Sequence, residues 1–120
     1  MQLPTNGGGP PTIADFDGDG EPEIGVAGSN LYVALETDGS IKWTSPTRDA
    51  SSAATGSSVF DFDGDGKAEV VYNDELNLRI YDGNDGTVIY SLPNSSGTLL
   101  EYPLIVDVDA DGEAEIALQL

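Results

Sequence analysis

Cysteine and histidine are both missing from these 120 residues, and only four residues are basic. Without cysteine there is neither a disulfide nor a zinc–thiolate site. Without either residue the Cys–His and Ser–His pairs of nucleophilic catalysis are excluded, and Ser51-Ser52 and Ser57-Ser58 have no base beside them in sequence. Four basic residues against 22 acidic ones give a net charge of -18. That balance argues against nucleic acid and anionic membrane surfaces as partners, because both need basic patches. No apolar run is long enough to span a bilayer, and no secretion leader is legible; Met1-Gln2-Leu3-Pro4 reads as an arbitrary start, either introduced for expression or cut from a longer precursor. The i, i+3, i+4 spacing of an amphipathic helix is also absent over any useful length.

What is present is a triplicated acidic stretch. Asp15-Phe16-Asp17-Gly18-Asp19-Gly20-Glu21-Pro22-Glu23 returns as Asp61 to Glu69 and again as Asp107 to Glu115, each copy 46 residues after the last. Carboxylates fall at positions 1, 3, 5 and 9 of every copy, and glycine holds position 6. So many carboxylates in tight loops repel one another unless a cation sits among them, and a hard divalent ion with oxygen ligands suits them, calcium best. Alternate residues of a tight loop can turn toward one centre. Asp15, Asp17 and Asp19 would each supply an oxygen, the Glu21 carbonyl another, and Glu23 one or two more. Gly20, Gly66 and Gly112 permit the sharp bend this requires. An EF-hand has a similar opening but needs a carboxylate at position 12, where Val26, Tyr72 and Leu118 stand here, and the flanks are β-formers rather than helices. A lone copy could be an ordinary solvated turn, since Asp and Gly are turn residues. Three copies at constant period predict three calcium sites with a structural role.

Between the acidic loops the chain reads as short antiparallel strands. Residues 1–11, with Gly7-Gly8-Gly9-Pro10-Pro11, read as a linker. Strands are expected from Thr12 to Phe16, Glu23 to Ala27, Leu31 to Glu36 and Ile41 to Thr44, with Asp38-Gly39 as a hairpin turn. The plan recurs in Ser58 to Phe62, Glu69 to Tyr72, Leu76 to Tyr81 and Val88 to Leu92, with Asp85-Gly86 in the turn. Aligning Leu31 with Leu78 shifts the offset to 47, which places one extra residue near Asn73-Asp74-Glu75. A tandem four-stranded unit of this length predicts an all-β protein built of β-propeller blades. Residues 12–57 form the first blade, 58–103 the second and 104–120 half of a third, about two and a half in all. Ile24/Val26 and Val33/Leu35 are expected to pack blade on blade. Such a ring cannot close alone, so the chain is either a fragment or a self-associating unit, with Leu118-Gln119-Leu120 as an exposed apolar edge.

The loops, read as Asp-x-Asp-Gly-Asp-Gly-x-x-Glu after a short apolar strand, resemble the FG-GAP (VCBS-type) repeats of integrin α-subunit propellers and of many secreted bacterial proteins. The resemblance spans residues 12–120 and implies calcium held by Asp15, Asp17, Asp19 and Glu23; by Asp61, Asp63, Asp65 and Glu69; and by Asp107, Asp109, Asp111 and Glu115. It further implies main-chain ligands at Glu21, Lys67 and Glu113. Copy three departs from the pattern at Ala110, where the others have glycine. The outer hairpins, Leu31 to Trp43 and Leu78 to Tyr90, are similar to quinoprotein-type propeller repeats, in which the tryptophan docks blade on blade. Trp43 and Tyr90 are therefore expected to pack rather than to touch a cofactor. The function that follows is a secreted or cell-surface, calcium-stabilised, non-catalytic scaffold that binds carbohydrate or protein. A fragment of a calcium-dependent propeller polysaccharide lyase, similar to rhamnogalacturonan lyases, is the alternative.

Overall fold

The computed structural model describes residues 2–50, 54–95 and 102–118, and they are all-β. One antiparallel sheet runs in the order β1 (Thr12–Ala14), β2 (Glu23–Ala27), β3 (Leu31–Leu35), β4 (Ile41–Pro46). A second repeats it as β5 (Ser58–Phe60), β6 (Glu69–Asn73), β7 (Asn77–Tyr81), β8 (Val88–Pro93). A third contains β9 (Leu104–Val106) and β10 (Glu115–Ala117). Strands β1 and β9 flank β5, so the first strands of the three sheets run side by side and the sheets fan outward from them. This is an unclosed run of propeller blades.

The interface between the first two sheets is aromatic. Register pairs Gly25 with Ala34 and Ala34 with Trp43, and Ala27 with Tyr32, which places Ala27, Tyr32, Ala34 and Trp43 on one face. They pack with Phe16 against Val70, Tyr72 and Tyr81 of the second sheet, while Val59 packs partly buried alongside. The Tyr32 ring stacks on Trp43 and on Tyr81 at centroid distances of 5.5 and 5.8 Å. Two small residues, Ala27 and Ala34, leave room for these rings. The expected interface residues Ile24, Val26, Val33 and Leu35 lie on the opposite face, because strand residues alternate sides. Their positional counterparts in the second sheet do face the first. In the first sheet that outer face meets the N-terminal segment, with Leu3 and Val26 both near Gly8. Residues 2–11 form no strand, yet Gly9 N donates to Ala27 O at 2.8 Å and Ser29 N to Asn6 O at 3.0 Å. The segment is thus fastened to the sheet it precedes.

The hairpin joining β7 and β8 closes this interface. Trp43 Nε1 donates to Gly83 O at 2.6 Å, and a Cβ on Gly86 would stand 2.5 Å from the Trp43 ring. The same hairpin also corrects the expected insertion. Ile24 pairs with Leu35 and Val70 with Tyr81, so β3 and β7 keep the 46-residue offset. Leu35 pairs onward with Ile41 but Tyr81 with Val88, so the extra residue lies between β7 and β8, not near Asn73-Asp74-Glu75. Leu31 and Leu78 share a side chain but not a register position.

Tyr90 and Phe62, the positions equivalent to Trp43 and Phe16, are 51% and 36% exposed. Trp43 packs as expected; Tyr90 is open, because no hairpin lies over it among the described residues. Beside Phe62, between the second and third acidic corners, lies an open cleft of about 760 Å³, lined by Phe60, Phe62, Asp63, Ile105, Gly112 and Glu113 among others. Of the expected apolar edge, Leu118 ends the described residues, and Gln119 and Leu120 lie outside them.

Candidate metal centres

Each acidic stretch is the turn between the first two strands of its sheet, so all three corners lie along the same end of the fan. The first two corners touch. Ala68 N donates to Asp15 O at 3.0 Å, and the aliphatic stem of Lys67 lies over Gly18.

Within a corner the carboxylates organise the backbone. Asp15 Oδ1 accepts from Gly18 N at 2.6 Å and Oδ2 from Gly20 N at 3.0 Å. Asp17 Oδ1 accepts from Asp19 N, and Asp19 Oδ1 from Glu21 N. The second corner repeats this set with Asp61 bonded to the amides of Gly64, Asp65 and Gly66, Asp63 to Asp65 N and Asp65 to Lys67 N. The third does so with Asp107 on Asp111 N and Gly112 N, Asp109 on Asp111 N and Asp111 on Glu113 N. Glycine at position 6 takes φ near 90° in all three corners, which a Cβ disfavours. Position 4 is also left-handed, Gly18 at 81°, Gly64 at 74° and Ala110 at 63°. Ala110 thus occupies a strained conformation, as its departure from the repeat suggests.

The glutamate at position 9 reaches back across the turn. Glu23 Oε2 accepts from Phe16 N at 2.6 Å, Glu69 Oε2 from Phe62 N at 2.8 Å and Glu115 Oε2 from Val108 N at 2.8 Å. This bond takes the amide that the expected longer first strand would have used, so β1 stops at Ala14. Glu23 is fully buried and its other oxygen, Oε1, has no hydrogen-bond partner. Burial pushes the Glu23 and Glu69 carboxyls above their ordinary range, despite the amide bonds that oppose this. The Gly66, Gly64 and Asp65 amides hold Asp61 below it.

The structure brings together one carboxylate oxygen each from Asp15, Asp17 and Asp19 within 4.8 Å of one another. It does the same for Asp61, Asp63 and Glu69, and for Asp107, Asp109 and Glu115. Glu23, Asp65 and Asp111 stand in the same turns outside these groups. Clustered acids beside a buried, unpartnered carboxylate oxygen suit a hard cation with oxygen ligands, and calcium fits that donor set. A bound calcium ion would supply positive charge among these oxygens. The chain's part is to hold the Asp side chains on their own loop amides, pointed into the turn.

One contact at the first corner escaped the sequence. Lys42, on β4, places Nζ 2.6 Å from Asp17 Oδ2 and 2.8 Å from Glu36 Oε1. Those bonds outweigh its burial and raise its pKa, and they lower that of Asp17. Lys42 is 25 residues from Asp17 in sequence, and only the pairing of four strands brings them together. The serines noted earlier have structural partners. Ser57 Oγ bonds the Tyr32 hydroxyl at 2.8 Å and Ser58 Oγ donates to Pro103 O, while Ser51 and Ser52 lie outside the described residues.

Comparison with known proteins agrees with this geometry. The family model of the FG-GAP-like repeat matches residues 15–72 and again 61–118. Among solved structures the chain is similar to the V. cholerae biofilm matrix protein Bap1, with 37% identity and a TM-score of 0.76. That match covers 79% of this chain and 16% of Bap1, so the chain spans about a sixth of that protein's length. A search among curated proteins finds no match. No helix among the described residues is long and apolar enough to cross a membrane. The two family matches together run from the first acidic corner to the last, and the chain belongs to the FG-GAP-like repeat family.

Proposed function

We propose that this chain is a calcium-stabilised, non-catalytic propeller module of a secreted or cell-surface protein, serving adhesion or the binding of carbohydrate or protein. The observation that carries the calcium part is the buried Glu23 carboxylate, whose Oε1 is unpartnered beside a turn already rich in carboxylates. An ionised carboxylate in that position is costly unless a cation joins it. All fifteen positions named for the three corners are assigned to calcium: Asp15, Asp17, Asp19, Glu21, Glu23; Asp61, Asp63, Asp65, Lys67, Glu69; Asp107, Asp109, Asp111, Glu113, Glu115. Glu21, Lys67 and Glu113 contribute carbonyl oxygens.

The extracellular, non-enzymatic part rests on the likeness to a biofilm matrix protein. Calcium is abundant outside cells, where sites of modest affinity stay filled. The open face around Phe62 and Tyr90 supports self-association. Calorimetric titration of calcium tests the reading: three sites per chain are expected, and no binding heat would overturn it. Incubation with pectic polysaccharide and calcium tests the non-catalytic part, as ultraviolet absorbance from an unsaturated product would replace this reading with a lyase.

A further inference from the structure

The three corners share a backbone design but not a charge environment. Lys42 Nζ bonds Asp17 Oδ2 in the first corner, and its side chain is only 11% exposed. The β4 position of Lys42 corresponds to Ile89 on β8, since Ile41 and Trp43 match Val88 and Tyr90 in register. The second corner therefore has no ammonium at this place, and Asp63 accepts from its own loop amide at Asp65 instead. The first corner also carries the Lys67 stem over Gly18, while the residue equivalent to Lys67 in the next corner is Glu113. Thus the first corner has a resident cation that its sister lacks.

We propose that Lys42 is a built-in counter-ion that makes the first corner a weaker calcium site than the second, and the better able of the two to keep its form without calcium. This rests on the calcium reading above. Two physical effects oppose each other here. The ammonium neutralises Asp17 and Glu36, which relieves repulsion when no metal is bound. It also repels an incoming divalent ion and occupies one oxygen of a ligand, which weakens binding. The buried, unpartnered Glu23 Oε1 shows that one ammonium does not satisfy the whole corner, so the site remains able to bind. Lys42 acts through Asp17 and is a positioning residue, not a ligand.

The test compares the full chain with two variants, Lys42→Met and Ile89→Lys, by calcium titration and by melting in chelator. In the wild type the first-corner site should be weaker than the second. Lys42→Met should tighten that site on the order of tenfold, the size expected of one unit charge near a divalent ion. Ile89→Lys, a change at an exposed position, should weaken a second site. In chelator Lys42→Met should melt below the wild type, and calcium should close the gap. Titration curves for Lys42→Met and Ile89→Lys that superimpose on the wild type would overturn the proposal while leaving the calcium reading intact. Absence of calcium heat in every protein would overturn that reading itself. An unchanged chelator midpoint for Lys42→Met would then remove the lysine's structural role as well.

Discussion

Ala110 sits at φ 63°, in the left-handed region its two counterparts reach as glycines. Ala110→Gly should stabilise the protein by about 0.5–1 kcal/mol, because relief of strain outweighs the added freedom of the unfolded chain. Gly64→Ala should cost about 1 kcal/mol; a Cβ there meets nothing within 4 Å, so the penalty is conformational alone. Urea midpoints of the two variants check both signs. A second residue-scale case is Asp74, fully buried beside Arg79. Burial acts to raise its carboxyl pKa, but the Arg79 guanidinium and the amides of Leu76, Asn77 and Arg48 outweigh it, and the net shift is downward. A carboxyl lowered on folding adds stability above its unfolded value of 3.8 and loses it as pH falls toward the folded one. Asp74→Asn should therefore cost about 2–4 kcal/mol at neutral pH, leaving Arg79 unpaired. The difference from wild type should shrink below pH 3.8, as urea titrations across pH would show.

At the scale of elements, the acidic corners and the four-stranded units were legible because both are local. Carboxylates at alternate positions and Asp-Gly turns act over a few residues, and the 46-residue period repeats them. What sequence reasoning missed depends on pairing across strands. The inward face of β3 was misassigned because β2 and β3 are apolar on both sides, so alternation gives no preferred face. Lys42 carries no local signal, because only strand register brings it to Asp17. The extra residue is hidden for the same reason, since Leu31 and Leu78 are identical side chains at different register positions. The β7–β8 hairpin is the element that most sharply tests this packing. Gly86→Val should disrupt it, because φ is 77° and Trp43 stands where the side chain would go. A loss of about 2–4 kcal/mol is expected, the sum of overpacking and of a left-handed backbone carrying a side chain. Trp43→Phe, which keeps one aromatic ring but loses part of the indole and its bond to Gly83, should cost about 1–3 kcal/mol. Denaturant curves separate the two.

Over the whole molecule, the acidic corners at one end of the fan concentrate negative charge. Chelation should lower the melting midpoint of the wild type, and saturating calcium should restore it, since ligand bound only to the folded state stabilises by mass action. An unchanged midpoint would remove calcium from the account of stability. The open face over Phe62 and Tyr90 should make the chain associate as concentration rises, and light scattering that stays at the mass of one chain would refute this.

The protein has a single indole, and its nitrogen is bonded to a carbonyl of the neighbouring sheet. Its emission colour consequently reports the parting of two blades instead of the melting of either. A red shift that precedes loss of the far-ultraviolet β signal would reveal a state in which the blades have slid apart while each remains woven.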